Sequence, residues 1–180
     1  QKHNPMLLKY KKMVAELEDR NYLIIGYGSL LNESDVKRTS PNLISHKTGY
    51  IDGWSRIFNM GSCTTGNFLN VQEDSFCTNM LVSILNVPVE DMPNIYWREI
   101  NYKFVEQEFK YEDGVKDKAM MVVGTQFMNH LAHPQPNYLH LCMQGARKLN
   151  GAKGVNNFLD TTYTNHGSLR HWFNTFSMLY

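Results

Sequence analysis

The chain has little of what marks a membrane protein, a disulfide-stapled secreted domain or a nucleic-acid binder. No apolar run approaches the ~20 residues needed to span a bilayer, and no signal-peptide pattern opens the sequence. The first residue is Gln1, so an upstream Met or tag is expected to have been lost. Cysteine is scarce: Cys63, Cys77 and Cys142 show no CxxC spacing. An odd count without a pairing pattern predicts reduced thiols and a cytoplasmic setting. Neither sign of charge is in excess. Eighteen Lys+Arg against 17 Asp+Glu leave +1, which argues against nucleic acid or a membrane surface as partner. There is no Walker A loop and no GxGxxG, so nucleotide binding has no support. Internal repeats and low-complexity segments are absent too.

What is present is 180 residues. That length suits a single domain, which at this size buries about 70% of its unfolded surface without staples. Asn4-Pro5 reads as a helix start, and Leu7, Tyr10, Val14 and Leu17 continue it at helical spacing to about Arg20. The apolar run Tyr22-Leu23-Ile24-Ile25 predicts a buried first strand, ending near Tyr27. A short helix capped by Asn32 or Ser34 is expected before Pro41. Strands are expected over Tyr50–Met60, Leu69–Gln72 and Asn79–Val87, with a loop at Gly61–Gly66. A short helix over Pro88–Ile100 follows. Then comes a hairpin, Tyr102–Tyr111 and Lys118–Met128, turning at Asp113-Gly114. Helices are expected over Asn137–Leu149, Phe158–Tyr163 and Leu169–Leu179. Strands come first and helices collect at the end, which predicts an α+β fold with a small, curved, mostly closed sheet. Residues 1–20 read as a helical extension, 21–163 as the core and 164–180 as a helical tail of one domain.

Few residues carry chemistry-bearing context. The first strand ends in Tyr27-Gly28-Ser29-Leu30, a glycine loop whose backbone N–H groups can hold a carboxylate or a developing oxyanion; a tight connection is the plainer reading. Glu99 closes a short helix among Ile95, Tyr96, Trp97, Ile100 and Tyr102. Such surroundings desolvate a carboxylate and raise its pKa toward that of a general base. The alternative is a solvated acid paired with a nearby cation. Tyr138 opens a helix after Pro134-Gln135-Pro136-Asn137, either as a hydrogen-bond donor into a cleft or as a core anchor. Arg56, in Trp54-Ser55-Arg56-Ile57-Phe58, is read as a holder of a substrate carboxylate or as a strand-face arginine. His130, His133, His140 and Cys142 do not repeat a metal-ligand spacing, so no metal is expected. His166 and His171 read as surface residues, and Cys63 has no identifiable base beside it.

Taken together these segments resemble the gamma-glutamylcyclotransferase-like family, with the matching pieces in family order. Tyr27-Gly28-Ser29-Leu30 is similar to its first-strand loop, and Gly53-Trp54-Ser55-Arg56-Ile57-Phe58-Asn59 to the next strand. Arg98-Glu99-Ile100-Asn101-Tyr102 resembles the Arg-Glu-x-x-Tyr segment that carries the catalytic acid. Pro134 to Tyr138, then Cys142-Met143-Gln144-Gly145-Ala146, resembles the Pro-x-x-Tyr segment and the Gly-Ala helix. The resemblance implies a small mixed β-barrel with flanking helices. It implies cofactor-independent cyclisation of a γ-glutamyl amide, which releases 5-oxoproline and an amine. On that reading Glu99 moves the proton, Gly28, Ser29 and Leu30 hold the γ-glutamyl head group, and Tyr27, Tyr102 and Tyr138 line the site. Leu30 stands where many members have Asn, and Ile100 where some have Gly, which bears on the choice of leaving group. A second function class stays open: a non-catalytic module that binds a small molecule or peptide in the same pocket.

Overall fold

The structure, a computed structural model, describes residues 4–62, 65–125 and 132–176. Nine strands and five α-helices follow one another in the described residues. Helix α1 (Pro5–Ala15) is followed by strand β1 (Tyr22–Gly26), a 3-10 turn (Ser29–Leu31) and helix α2 (Glu33–Thr39). Four strands come next: β2 (Ser45–Ile51), β3 (Trp54–Ser62), β4 (Gly66–Glu73) and β5 (Met80–Val87). Helix α3 (Met92–Arg98), strands β6 (Tyr102–Tyr111) and β7 (Lys116–Gly124), and helix α4 (Pro136–Asp160) complete the middle of the chain. β8 (Thr162–Thr164), β9 (Gly167–Ser168) and α5 (Leu169–Phe176) follow.

Five strands close into a barrel in the order β1-β5-β2-β6-β7. All its pairings are antiparallel except β1 with β7, which sets Ile24 beside Met120 and Ile25 beside Met121. A second sheet, β4-β3-β8-β9, lies against the barrel. β1 and β5 are almost wholly buried, as strands covered on both faces must be, and their sequences are accordingly near-continuous apolar runs. Two clusters form the core. One joins Ile25, Phe58, Leu69, Val82, Met121 and Phe158 inside and between the sheets. The other joins Tyr22, Ile24, Val36, Leu85, Ile95 and Tyr96 beneath α1 and α3. The expected α+β architecture, a small mixed barrel with flanking helices, is the observed one. No described helix is long and apolar enough to cross a membrane.

The structure corrects several boundaries. The expected single strand Tyr50–Met60 is two, because the chain turns at Asp52-Gly53, where Gly53 has φ +82°. That left-handed angle is open to glycine and costly for a side chain. The turn also hands the chain from the barrel to the second sheet. Helix α1 stops at Ala15, not near Arg20, and Arg20 instead lies 3.7 Å from the Tyr22 ring centroid. The helix expected over Phe158–Tyr163 ends at Asp160. β-branched Thr162 then begins β8 and pairs in parallel with Arg56 of β3. Helix α4 starts a residue earlier than expected and runs on past Leu149 through a kink at Asn150-Gly151. Cys63 and His130 fall outside the described residues.

Candidate active site

The site is built at the end of β1. After Gly26 the chain leaves the barrel through Tyr27-Gly28 and winds into the 3-10 turn Ser29–Leu31. Two polar side chains fix that turn from below. Ser83 Oγ donates to the Leu30 carbonyl at 2.8 Å, and His46 Nε2 lies 2.9 Å from the same oxygen. Asn32 continues the turn as the cap of α2, accepting from Asp35 N–H at 3.1 Å, and ties it to α4 by donating to the Leu141 carbonyl. A side chain at Gly28 would have to displace Tyr138. A Cβ built there falls inside the contact radius of Tyr138 Oη, and the Leu69 side chain is 3.5 Å away on another side.

Glu99 comes from the opposite wall. Helix α3 buries Met92, Ile95 and Tyr96, and Arg98 is its last helical residue. Glu99 caps the helix: its N–H donates to the Ile95 carbonyl at 3.0 Å, and its carbonyl accepts from Tyr102 N–H at 3.0 Å. Lys9 of α1 braces this turn by donating to the Ile100 and Tyr102 carbonyls at 2.9 and 2.7 Å. The Glu99 residue is only 8% exposed. Burial raises its pKa above the ordinary carboxylate value, and the neighbouring Arg98 charge pulls the other way. Arg98 Nε lies 3.6 Å from Glu99 Oε1, too far for a hydrogen bond but close enough for Coulombic attraction.

Three tyrosines close the cavity. Tyr27 donates to the Val122 carbonyl at 2.7 Å, and Tyr102 to the Leu69 carbonyl at 3.0 Å. Tyr138 is set by the start of α4, where Gln135 accepts from its N–H at 2.6 Å. Its ring packs edge-on against Phe58 and Phe68, and its hydroxyl accepts from Leu69 N–H at 3.3 Å. Leu69 therefore serves two of the three phenols from one backbone unit. Burial raises the pKa of all three. They stay protonated and act as neutral hydrogen-bonding groups.

The resulting cavity of about 180 Å³ is lined by Tyr27, Gly28, Ser29, Leu30, Glu99, Tyr102 and Tyr138, with Phe68 and Arg98. That is room for several waters, or for one small polar head group. The structure thus brings together the expected site residues Tyr27, Gly28, Ser29, Leu30, Glu99, Tyr102 and Tyr138, and leaves out Arg56. Arg56 is corrected: it is fully buried behind Tyr27, its donors taken by protein oxygens, and it does not line the cavity. Arg98 was legible only as part of a motif. It donates to Ser29 Oγ at 2.8 Å, Asp35 at 2.7 Å and Thr39 at 3.0 Å, which locks the loop, α2 and the Glu99 turn together. Its place in the last turn of a short helix, one residue before the acid, is the signal that could have flagged it. A larger groove of about 710 Å³ between Leu31, His46, Tyr111 and Lys148 contains none of these groups. Among the described residues no cluster of three or more His, Cys, Asp or Glu could hold a metal ion. His133 and His166 stack on each other, 4.6 Å between ring centroids, far from a ligand arrangement.

No family model matches the sequence, and no curated protein matches it. Solved structures do. One described as a gamma-glutamyl cyclotransferase superimposes with a TM-score of 0.67 at 13% identity, over 77% of this chain and 86% of its own. An uncharacterized protein from Homo sapiens does so with a TM-score of 0.67 at 14% identity, over 78% of this chain and 87% of its own. YkqA from Bacillus subtilis gives a TM-score of 0.66 at 16% identity, over 93% of this chain and 59% of its own length. At such identity the likeness is one of fold: this chain has the barrel and flanking helices of the gamma-glutamyl cyclotransferase-like structures.

Proposed function

We propose that the protein is a gamma-glutamylcyclotransferase-like enzyme that cleaves a γ-glutamyl amide by intramolecular attack of its α-amine. The observation that carries this reading is the shared cavity. A shielded carboxylate, Glu99, faces the same small space as the Gly28–Leu30 backbone and Tyr138. A γ-glutamyl group is short enough for its amine to reach Glu99 while its other end meets the loop.

Glu99 takes a proton from the α-ammonium. The freed amine attacks the γ-carbonyl carbon, a C–N bond forms, and the carbonyl electron pair moves onto oxygen. The loop amides and Tyr138 meet that charge. Glu99 returns its proton to the second nitrogen, and collapse breaks the bond from that nitrogen to the γ-carbon and expels a neutral amine. The ring nitrogen still carries two hydrogens and passes one to the regenerated Glu99 carboxylate, which hands it to the departing amine. The products are 5-oxoproline and the free amine. Nucleophile and electrophile belong to one substrate, so proximity lowers the barrier and no cofactor is required. The raised pKa of Glu99 suits both halves of the proton cycle. The small cavity fits the γ-glutamyl head and leaves the departing amine outside, so recognition falls mainly on the head. The test is release of 5-oxoproline from a panel of γ-glutamyl compounds by wild-type protein and by Glu99→Gln. Binding of such a compound without product would favour a non-catalytic binding module instead.

A further inference from the structure

Arg56 has no part in that chemistry, yet it carries a buried charge. The side chain is fully buried. Among the described residues no carboxylate pairs with it. A buried cation without a counter-ion costs several kcal/mol of lost hydration. Here every acceptor is neutral. Nε donates to the Tyr27 carbonyl at 2.6 Å, Nη2 to the Leu81 carbonyl, and Nη1 to the Thr161 and Thr162 hydroxyls at 2.6 and 3.3 Å. The Phe158 ring lies beneath the guanidinium at 4.6 Å. Burial pulls its pKa down to about 10, which still leaves it protonated at neutral pH.

The Tyr27 carbonyl and the Gly28 N–H are two ends of one peptide group. A charge-assisted bond to the oxygen draws electron density from the nitrogen and strengthens the N–H as a donor. Gly28 lines the cavity, and its N–H has no acceptor among the described residues. We infer that Arg56 is a positioning residue: through the Tyr27 carbonyl it fixes the loop and polarises the Gly28 N–H, which holds a negatively charged oxygen of the γ-glutamyl group. This rests on the function proposed above. The charged oxygen is either the α-carboxylate or the oxyanion that develops on the γ-carbonyl.

The experiment titrates ¹⁵N-labelled wild-type protein with 5-oxoproline and with its neutral carboxamide. Downfield movement of the Arg56 Nε–H and Gly28 amide protons together, with the acid and not the amide, supports the inference and assigns the carboxylate. Equal movement with both probes overturns it. If neither probe moves the Arg56 proton, Arg56→Lys decides. A fall in kcat of at least about tenfold, with KM and melting temperature retained, assigns the oxyanion. Any other result for that variant, including failure to fold, then overturns the inference. The underlying function fails separately, if wild-type protein releases no 5-oxoproline from any γ-glutamyl compound.

Discussion

Replacing Glu99 by glutamine should remove turnover and stabilise the fold, and the second effect should depend on pH. Glutamine keeps the shape of the side chain and cannot shuttle a proton, so 5-oxoproline release should fall about 10²–10⁴-fold, the usual contribution of a general base. The stability effect follows from burial. Glu99 is 8% exposed, and desolvation raises its pKa above the ordinary value of 4.5. Near pH 4 it is largely protonated in folded and unfolded chains alike, and the carboxyl carries little penalty. As pH rises past the ordinary value, the unfolded chain gives up its proton first. Wild-type stability then declines until the pH passes the raised folded value, and is level beyond it. Every tenfold change in proton affinity is worth about 1.4 kcal/mol. The Arg98 contact at 3.6 Å offsets part of the penalty, and glutamine loses that contact. The variant should therefore match wild type near pH 4 and exceed it at pH 7.5. Urea denaturation at the two pH values, beside 5-oxoproline release by mass spectrometry, measures both. Wild-type-like turnover by the folded variant would refute the proton-transfer role. An equal stability difference at both pH values would refute the argument from burial.

Three further outcomes are expected. Gly28→Ala places a methyl group against Tyr138 Oη; it should raise KM for a γ-glutamyl substrate and destabilise by about 1–3 kcal/mol, measured by steady-state kinetics and urea denaturation. Arg98→Met removes the charge that lowers the Glu99 pKa, so the acid limb of the kcat/KM profile should move to higher pH; a limb that stays in place contradicts the assignment of that limb to Glu99. If the reaction is the proposed internal acyl transfer with protein groups moving the proton, 5-oxoproline release should continue in excess EDTA, and its loss from a still-folded protein would contradict the chemistry.

Much of the barrel was legible because its strands are strongly patterned. The β1 and β5 sequences are apolar runs bounded by polar or glycine residues, and the β6–β7 hairpin carries Asp113-Gly114 at its turn. The errors came where one local signal served two purposes. Gly53 punctuates what reads as one strand, but its left-handed conformation also changes sheets, and partner choice between sheets is not written in period-two alternation. Thr161 to Tyr163 adjoin a helical stretch, yet parallel pairing with Arg56 and Ile57 draws Thr162 and Tyr163 into a strand. The meeting of Glu99, the Gly28 loop and Tyr138 rested on motif order, since no local pattern reports contacts across 40 to 70 residues. Arg56 shows the limit of residue type. An arginine beside aromatics suggests an anion site, but whether it faces the cavity or the peptide behind it depends on the packing of Phe158, Thr161 and Leu81 around it.

The proposed conversion of a γ-glutamyl amide into 5-oxoproline in this cavity is open to direct test. The most direct measurement incubates the purified wild-type protein with a panel of γ-glutamyl amino acids, γ-glutamyl amines and γ-glutamyl peptides and quantifies 5-oxoproline, free amine and glutamate by mass spectrometry. Equimolar 5-oxoproline and amine from at least one compound, without glutamate, is the predicted result. Glutamate in place of 5-oxoproline would mean that water, not the α-amine, is the nucleophile, and no product from any compound would leave the site without the proposed chemistry.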